Sequence, residues 1–170
     1  MSLDLYIESK TPVLHKGTGV YVRENGETKE LLTKEEVLKH FPDANPDDIQ
    51  ETISETEEYF HINITHNLTE MAGECVIKGT CSSKKSHITL YDLMWHPEEN
   101  LGIVFPTLSY LLDLETCYDR LFHNPDFFKK YNPDNGWGTY EGLVDKTKAF
   151  VDALHSISSE FENYKIVSDT

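Results

Sequence analysis

Asn63-Ile64-Thr65-His66-Asn67 puts two amides, a hydroxyl and an imidazole into one short run. A second run, Asn132-Pro133-Asp134-Asn135-Gly136-Trp137-Gly138-Thr139-Tyr140, sets further amides around an indole flanked by glycines. Side chains of this kind are costly to bury and are not needed for folding, so their concentration points to recognition. An asparagine offers donors and an acceptor to one edge of a ligand. An indole held between glycines makes a flat wall on which a base or sugar can stack. The candidate ligand-binding residues are Asn63, Thr65, His66, Asn67, Asn132, Asn135, Gly136, Trp137 and Tyr140. Trp95 joins them from a third polar-aromatic cluster, Trp95-His96-Pro97-Glu98-Glu99.

Each has a duller alternative. Asn67 or Thr65 can cap a helix, with His66 bonded locally. Trp137 can plug the core beneath the following helix, and Trp95 can be core. His66 and Glu70 lie at helical i, i+4 spacing, which suits a base with its orienter or a pair of metal ligands. A metal would need His61 or His96 to converge on them, so no metal is assigned and no cofactor is specified. No catalytic residue is assigned either; His66 is the one an enzyme would use. The chain has no GxSxG elbow, P-loop, Rossmann glycine run or HExxH. Cys75, Cys81 and Cys117 form no CxxC pair and are expected to be reduced thiols.

A length of 170 residues fits a single domain spanning 1–170. A hydrophobic content of 38% indicates a globular chain. No apolar run approaches the roughly 20 residues of a membrane span. The N-terminus lacks the features of a signal peptide, so the expected location is cytoplasmic. The net charge of -15 argues against binding a nucleic-acid backbone, which needs clustered Lys and Arg. It permits a basic protein partner. From His40 through Ile77 there is no Lys or Arg, a pattern that more often marks a solvated face.

The elements that must position these residues follow from periodicity. Leu3, Leu5 and Ile7 alternate as in a half-buried strand. Residues 19–23 and 28–32 form a hairpin closed at Asn25-Gly26. Thr33 and Glu36 make a capping box for a helix that Pro42 ends. Phe60, Ile62 and Ile64 form a strand, followed by a helix burying Leu68, Met71, Ala72 and Cys75. Residues 78–86 read as an exposed loop. Pro106 opens a helix carrying Leu108, Leu111, Leu112, Tyr118, Leu121 and Phe122, and Asn124-Pro125 restarts a short one. Pro133 to Gly136 form a turn. The last helix, capped by Thr139, runs from Tyr140 to Ile157, and Phe161, Tyr164 and Ile166 add a terminal strand. The expected class is α+β, an N-terminal β-hairpin or small antiparallel sheet packed with a mainly helical C-terminal half.

Three motifs together carry a resemblance. Asn63-Ile64-Thr65-His66-Asn67-Leu68 with Met71, then Leu93-Met94-Trp95 with Pro97-Glu98-Glu99, then Tyr131 to Tyr140 resemble an uncharacterised family of small proteins of bacteria and their phages. The resemblance covers most of residues 59 to 155. The chain departs from the family pattern at His96, where arginine is more usual, and in a longer connection from Val76 to Ile88. The resemblance implies that the motifs travel together and implies no reaction.

Three functions compete. The first is binding of a small polar planar ligand, nucleotide-like, by a protein that could sequester it in a phage setting. The second is an acidic protein-interaction or inhibitor module. The third is a His66-dependent, metal-assisted enzyme.

Overall fold

The computed structural model describes residues 1–170, apart from the side chains of Val13, His15, Ser54 and Glu55. Its contacts divide the chain into two compact units, Thr11–Glu57 and the remainder. Strand β1 (Ser2–Ser9) opens the larger unit and buries Leu3, Leu5 and Ile7 on one face.

The smaller unit holds β2 (Val13–Lys16), β3 (Val20–Glu24), β4 (Glu27–Leu31), α1 (Lys34–His40) and β5 (Thr52–Glu55). β3 and β4 form the expected hairpin, with Asn25 at φ 54° and Gly26 at φ 81° in the left-handed region that a primed turn requires. The Thr33 hydroxyl accepts from the Glu36 amide and caps α1. The reciprocal half of the box is displaced by one residue, since the Glu36 carboxylate accepts from the Leu32 amide at 3.1 Å. β2 pairs antiparallel with β5.

The larger unit continues with β6 (Glu58–Thr65), α2 (Thr69–Gly73), β7 (Val76–Lys78), β8 (His87–Thr89), α3 (Leu90–Met94) and α4 (Pro97–Leu101). It closes with α5 (Leu108–His123), α6 (Pro125–Lys129), α7 (Tyr140–Ser156) and β9 (Tyr164–Asp169). Its sheet is antiparallel in the order β6-β1-β9. Leu3 faces Ile64, Leu5 faces Ile62 and Ile7 faces both Phe60 and Ile166. This register turns one apolar face onto the helices, where Trp95, Tyr110, Leu114, Phe128, Leu143 and Phe150 are buried. The fold is α+β. The sheet that meets the helices is built from the first, sixth and last strands, while the Asn25-Gly26 hairpin belongs to the smaller unit.

Two elements carry detail beyond the local sequence pattern. α5 buries Tyr110, Leu111, Leu114, Cys117 and Leu121, and leaves Leu108, Leu112 and Phe122 exposed. Residues 79–86 lie on the surface but are tied down. The buried Asp113 carboxylate accepts from the Thr80 amide at 2.9 Å, the Thr80 hydroxyl at 3.0 Å and the Cys81 amide at 2.9 Å. Ser82 donates to the Leu101 carbonyl at 2.7 Å, and Lys85 pairs with Asp92 at 2.9 Å. Among the described residues no helix is long and apolar enough to cross a membrane.

Candidate functional site, a cleft between two turns

β6 ends at Thr65, whose hydroxyl accepts from the Asn67 amide and caps a 3-10 turn over His66–Leu68. Thr65 therefore takes the capping role, and the Asn67 side chain has no hydrogen-bond partner among the described residues. Leu68 is buried and fixes the turn, which leaves His66 and Asn67 toward the surface.

The second turn joins α6 to α7. Asn132 accepts from the Tyr140 amide at 2.8 Å through its side-chain oxygen, and Asn135 accepts from the Trp137 amide at 2.9 Å. Thr139 caps α7 by accepting from the Gly142 amide at 3.0 Å. Gly138 sits at φ 99°, and a Cβ there would lie 2.6 Å from Thr65 Cγ2 and 3.0 Å from Leu68 Cγ. A glycine is thus required where the second turn lies against the helix entrance of the first.

The two turns border one cleft of about 640 Å³, lined by Met1, Ser2, Asn63, Thr65, His66, Asn67, Asn135 and Trp137. Trp137 is 71% exposed, so its ring is a free wall and not a core plug. Beside the cleft, the Asn63 amide donates to Ser2 Oγ at 3.0 Å and to Asp4 Oδ1 at 2.9 Å. His61 Nε2 donates to the same carboxylate oxygen at 2.8 Å, and its ring stacks on Tyr6 at 4.4 Å. The β1–β6 register, Asp4 opposite Asn63 and Tyr6 opposite His61, creates this row. The Asn63 amide, and after it His61, holds the Asp4 carboxyl below its usual pKa. The Lys146 ammonium donates to the Asn63 carbonyl and covers the outer edge of β6 there.

These bonds fix the floor and leave other polar groups unspent. Asn63 Oδ1, the side-chain amide of Asn67, the His66 ring and the Trp137 indole N–H have no partner among the described residues. A second hollow of about 440 Å³, lined by Glu70, Lys130, Tyr131, Asn132, Pro133 and Asp134, shares Asn67 with the cleft.

The chain matches no family model, no curated protein and no solved structure with which it was compared.

The structure does not bring every sequence candidate to the cleft. Trp95 is fully buried and stacks on Tyr91 at 5.6 Å, so it is core. Tyr140 is also buried, and its hydroxyl donates to the Leu121 carbonyl at 2.5 Å. Asn132 spends its oxygen on Tyr140 and lines the second hollow. Gly136, at φ 73°, shapes the turn without lining the cleft. His66 and Glu70 share no hydrogen bond, and Glu70 lines the second hollow. Among the described residues no three His, Cys, Asp or Glu side chains gather as a metal would need. His96 lies in a separate hollow with Lys165 and Ser168, its backbone left-handed at φ 55°.

The sequence reading missed Ser2, Asp4 and Asp113. The alternation of β1 places Ser2 and Asp4 on its open face, but their link to Asn63 needs the strand register. Asp113 reads as an exposed helix position until the loop over 79–86 is folded onto it. Cys75 and Cys117 are buried, and the Cys81 thiol is pushed up to about 12 by burial and by its hydrogen bond to Asp113.

Proposed function

We propose that the protein binds a small, polar, planar ligand of nucleoside-like chemistry in the cleft between the Thr65 and Trp137 turns. One observation carries this reading: an exposed indole, the His66 and Asn67 side chains and the free Oδ1 of Asn63 border the same concavity. Trp137 would stack on the ligand ring, and Asn63, His66 and Asn67 would read its edge. The cleft lining contains no Lys or Arg side chain. Recognition would therefore rest on the base or sugar and not on a phosphate. In a phage setting, such binding would sequester the ligand.

Mass spectrometry of small molecules released from the purified protein, with a thermal-shift panel of nucleosides and nucleotides, tests the proposal. A released planar compound that raises Tm in wild type but not in Trp137→Ala supports it. Absence of any released compound, together with no shift across the panel, counts against it.

A further inference from the structure

The smaller unit carries a hollow of a different kind. Val20, Val37, Phe41, Ala44 and Ile49 line about 580 Å³, with Asp43 and Asp48 at its border and no Lys or Arg in the lining. Its walls are held by hydrogen bonds: the Phe41 amide donates to the Val37 carbonyl, the Ala44 amide to the Phe41 carbonyl, and the Asp47 amide to the Asn45 side chain. Phe41 is 47% exposed although it stands beside an apolar floor. An exposed aromatic over an apolar hollow is unfavourable in water unless something covers it. The border chemistry says what. Both bordering charges are acidic, and the segment from Phe41 through Glu57 has six carboxylates (Asp43, Asp47, Asp48, Glu51, Glu55, Glu57) and no cation.

We propose that this groove docks a basic amphipathic segment of a partner protein. An apolar side chain of that segment would enter between Phe41 and Ile49, and its flanking Lys or Arg would meet Asp43 and Asp48. The apolar contact would hold the segment, while the charges would speed encounter and reject acidic partners. This site is independent of the cleft beside Trp137.

The test is fluorescence polarisation of the full chain with a labelled amphipathic Leu/Lys peptide about four helical turns long. A scrambled peptide of the same composition, which has the same charge and no apolar face, is the control. The amphipathic peptide is expected to bind about tenfold more tightly than the scrambled one at physiological salt. Phe41→Ser, at an exposed position outside the helix, is expected to weaken binding about tenfold. Asp43→Lys with Asp48→Lys is expected to weaken it comparably and to flatten its salt dependence. Circular dichroism confirms that each variant is folded. Equal binding of the scrambled peptide, undiminished binding by the Phe41 variant, or no binding at all would overturn the proposal. So would a dimer in sedimentation that Phe41→Ser dissociates, since a second copy would then be the occupant.

Discussion

Two aspartates in the larger unit anchor hydrogen-bond clusters, and they are spent differently. Asp113 is 2% exposed, and both of its oxygens accept, taking three bonds from Thr80 and Cys81. Those partners belong to one loop, and the cluster pins that loop to α5. Asp4 is half-exposed and accepts from Asn63 and His61 through a single oxygen, Oδ1. Asn63 keeps an oxygen to spare, and next to it lie His66, Asn67 and Trp137 with their polar atoms unspent. A saturated buried cluster stabilises a fold; an exposed cluster with unspent groups beside a cleft can recognise a ligand. Asp113 and its partners hold the structure, whereas the groups beside Asp4 are those that we propose meet a ligand.

The largest expected effect falls on the saturated side. Asp113→Ala is expected to destabilise by about 3 kcal/mol, because charge-assisted bonds are lost and the loop amides lose their acceptor. A urea midpoint that stays near wild type would remove the distinction between the clusters. Next is Gly138→Ala, at about 2 kcal/mol, since its φ of 99° and the contact with Thr65 both oppose a side chain. The same variant is expected to loosen the cleft, which hydrogen exchange at His66–Leu68 would report. Trp137→Ala should change stability by under about 0.5 kcal/mol, as for other exposed positions, while abolishing any ligand-induced thermal shift. A large loss of stability would return Trp137 to the core.

Titration of the two clusters gives smaller effects. The Asp4 carboxyl is held below its ordinary pKa, so the stability it lends is present at neutral pH and is lost as pH falls through the folded value. Asn63→Ala removes the largest cause and is expected to move that loss to higher pH, read by carboxyl chemical shifts. At Asp113, the Cys81 thiol pushed up to about 12 is expected to alkylate slowly at neutral pH and faster in Asp113→Asn. Equal rates would dissociate Cys81 from that cluster.

Much of the fold is legible in local pattern. The alternation of Leu3, Leu5 and Ile7, the Asn25-Gly26 turn and the Thr139 cap each follow from a few neighbouring residues. The pairing of β1 with both β6 and β9 is not legible locally, because it depends on contacts across most of the chain. The same limit governs the site. The amide-rich turns stand out by composition, yet Trp95 and Trp137 cannot be told apart by type. One packs on Tyr91 in the core, and the other projects from a glycine-flanked turn. The Asn63–Asp4 bond needs the strand register, and the meeting of the two turns needs the close approach at Gly138.

If the Trp137 cleft accepts a planar polar ligand, as we propose, the two tryptophans provide the readout. Trp95 is buried and Trp137 is exposed, so acrylamide quenches chiefly the red-edge emission of Trp137. The most direct measurement titrates the full chain with nucleosides and their 5′-phosphates while following that emission and its quenching. The account predicts a saturable change and protection from acrylamide by at least one nucleoside, both absent in Trp137→Phe and weakened in Asn67→Ala. Emission and quenching that no member of the panel alters, or alters equally in Trp137→Phe, would contradict it.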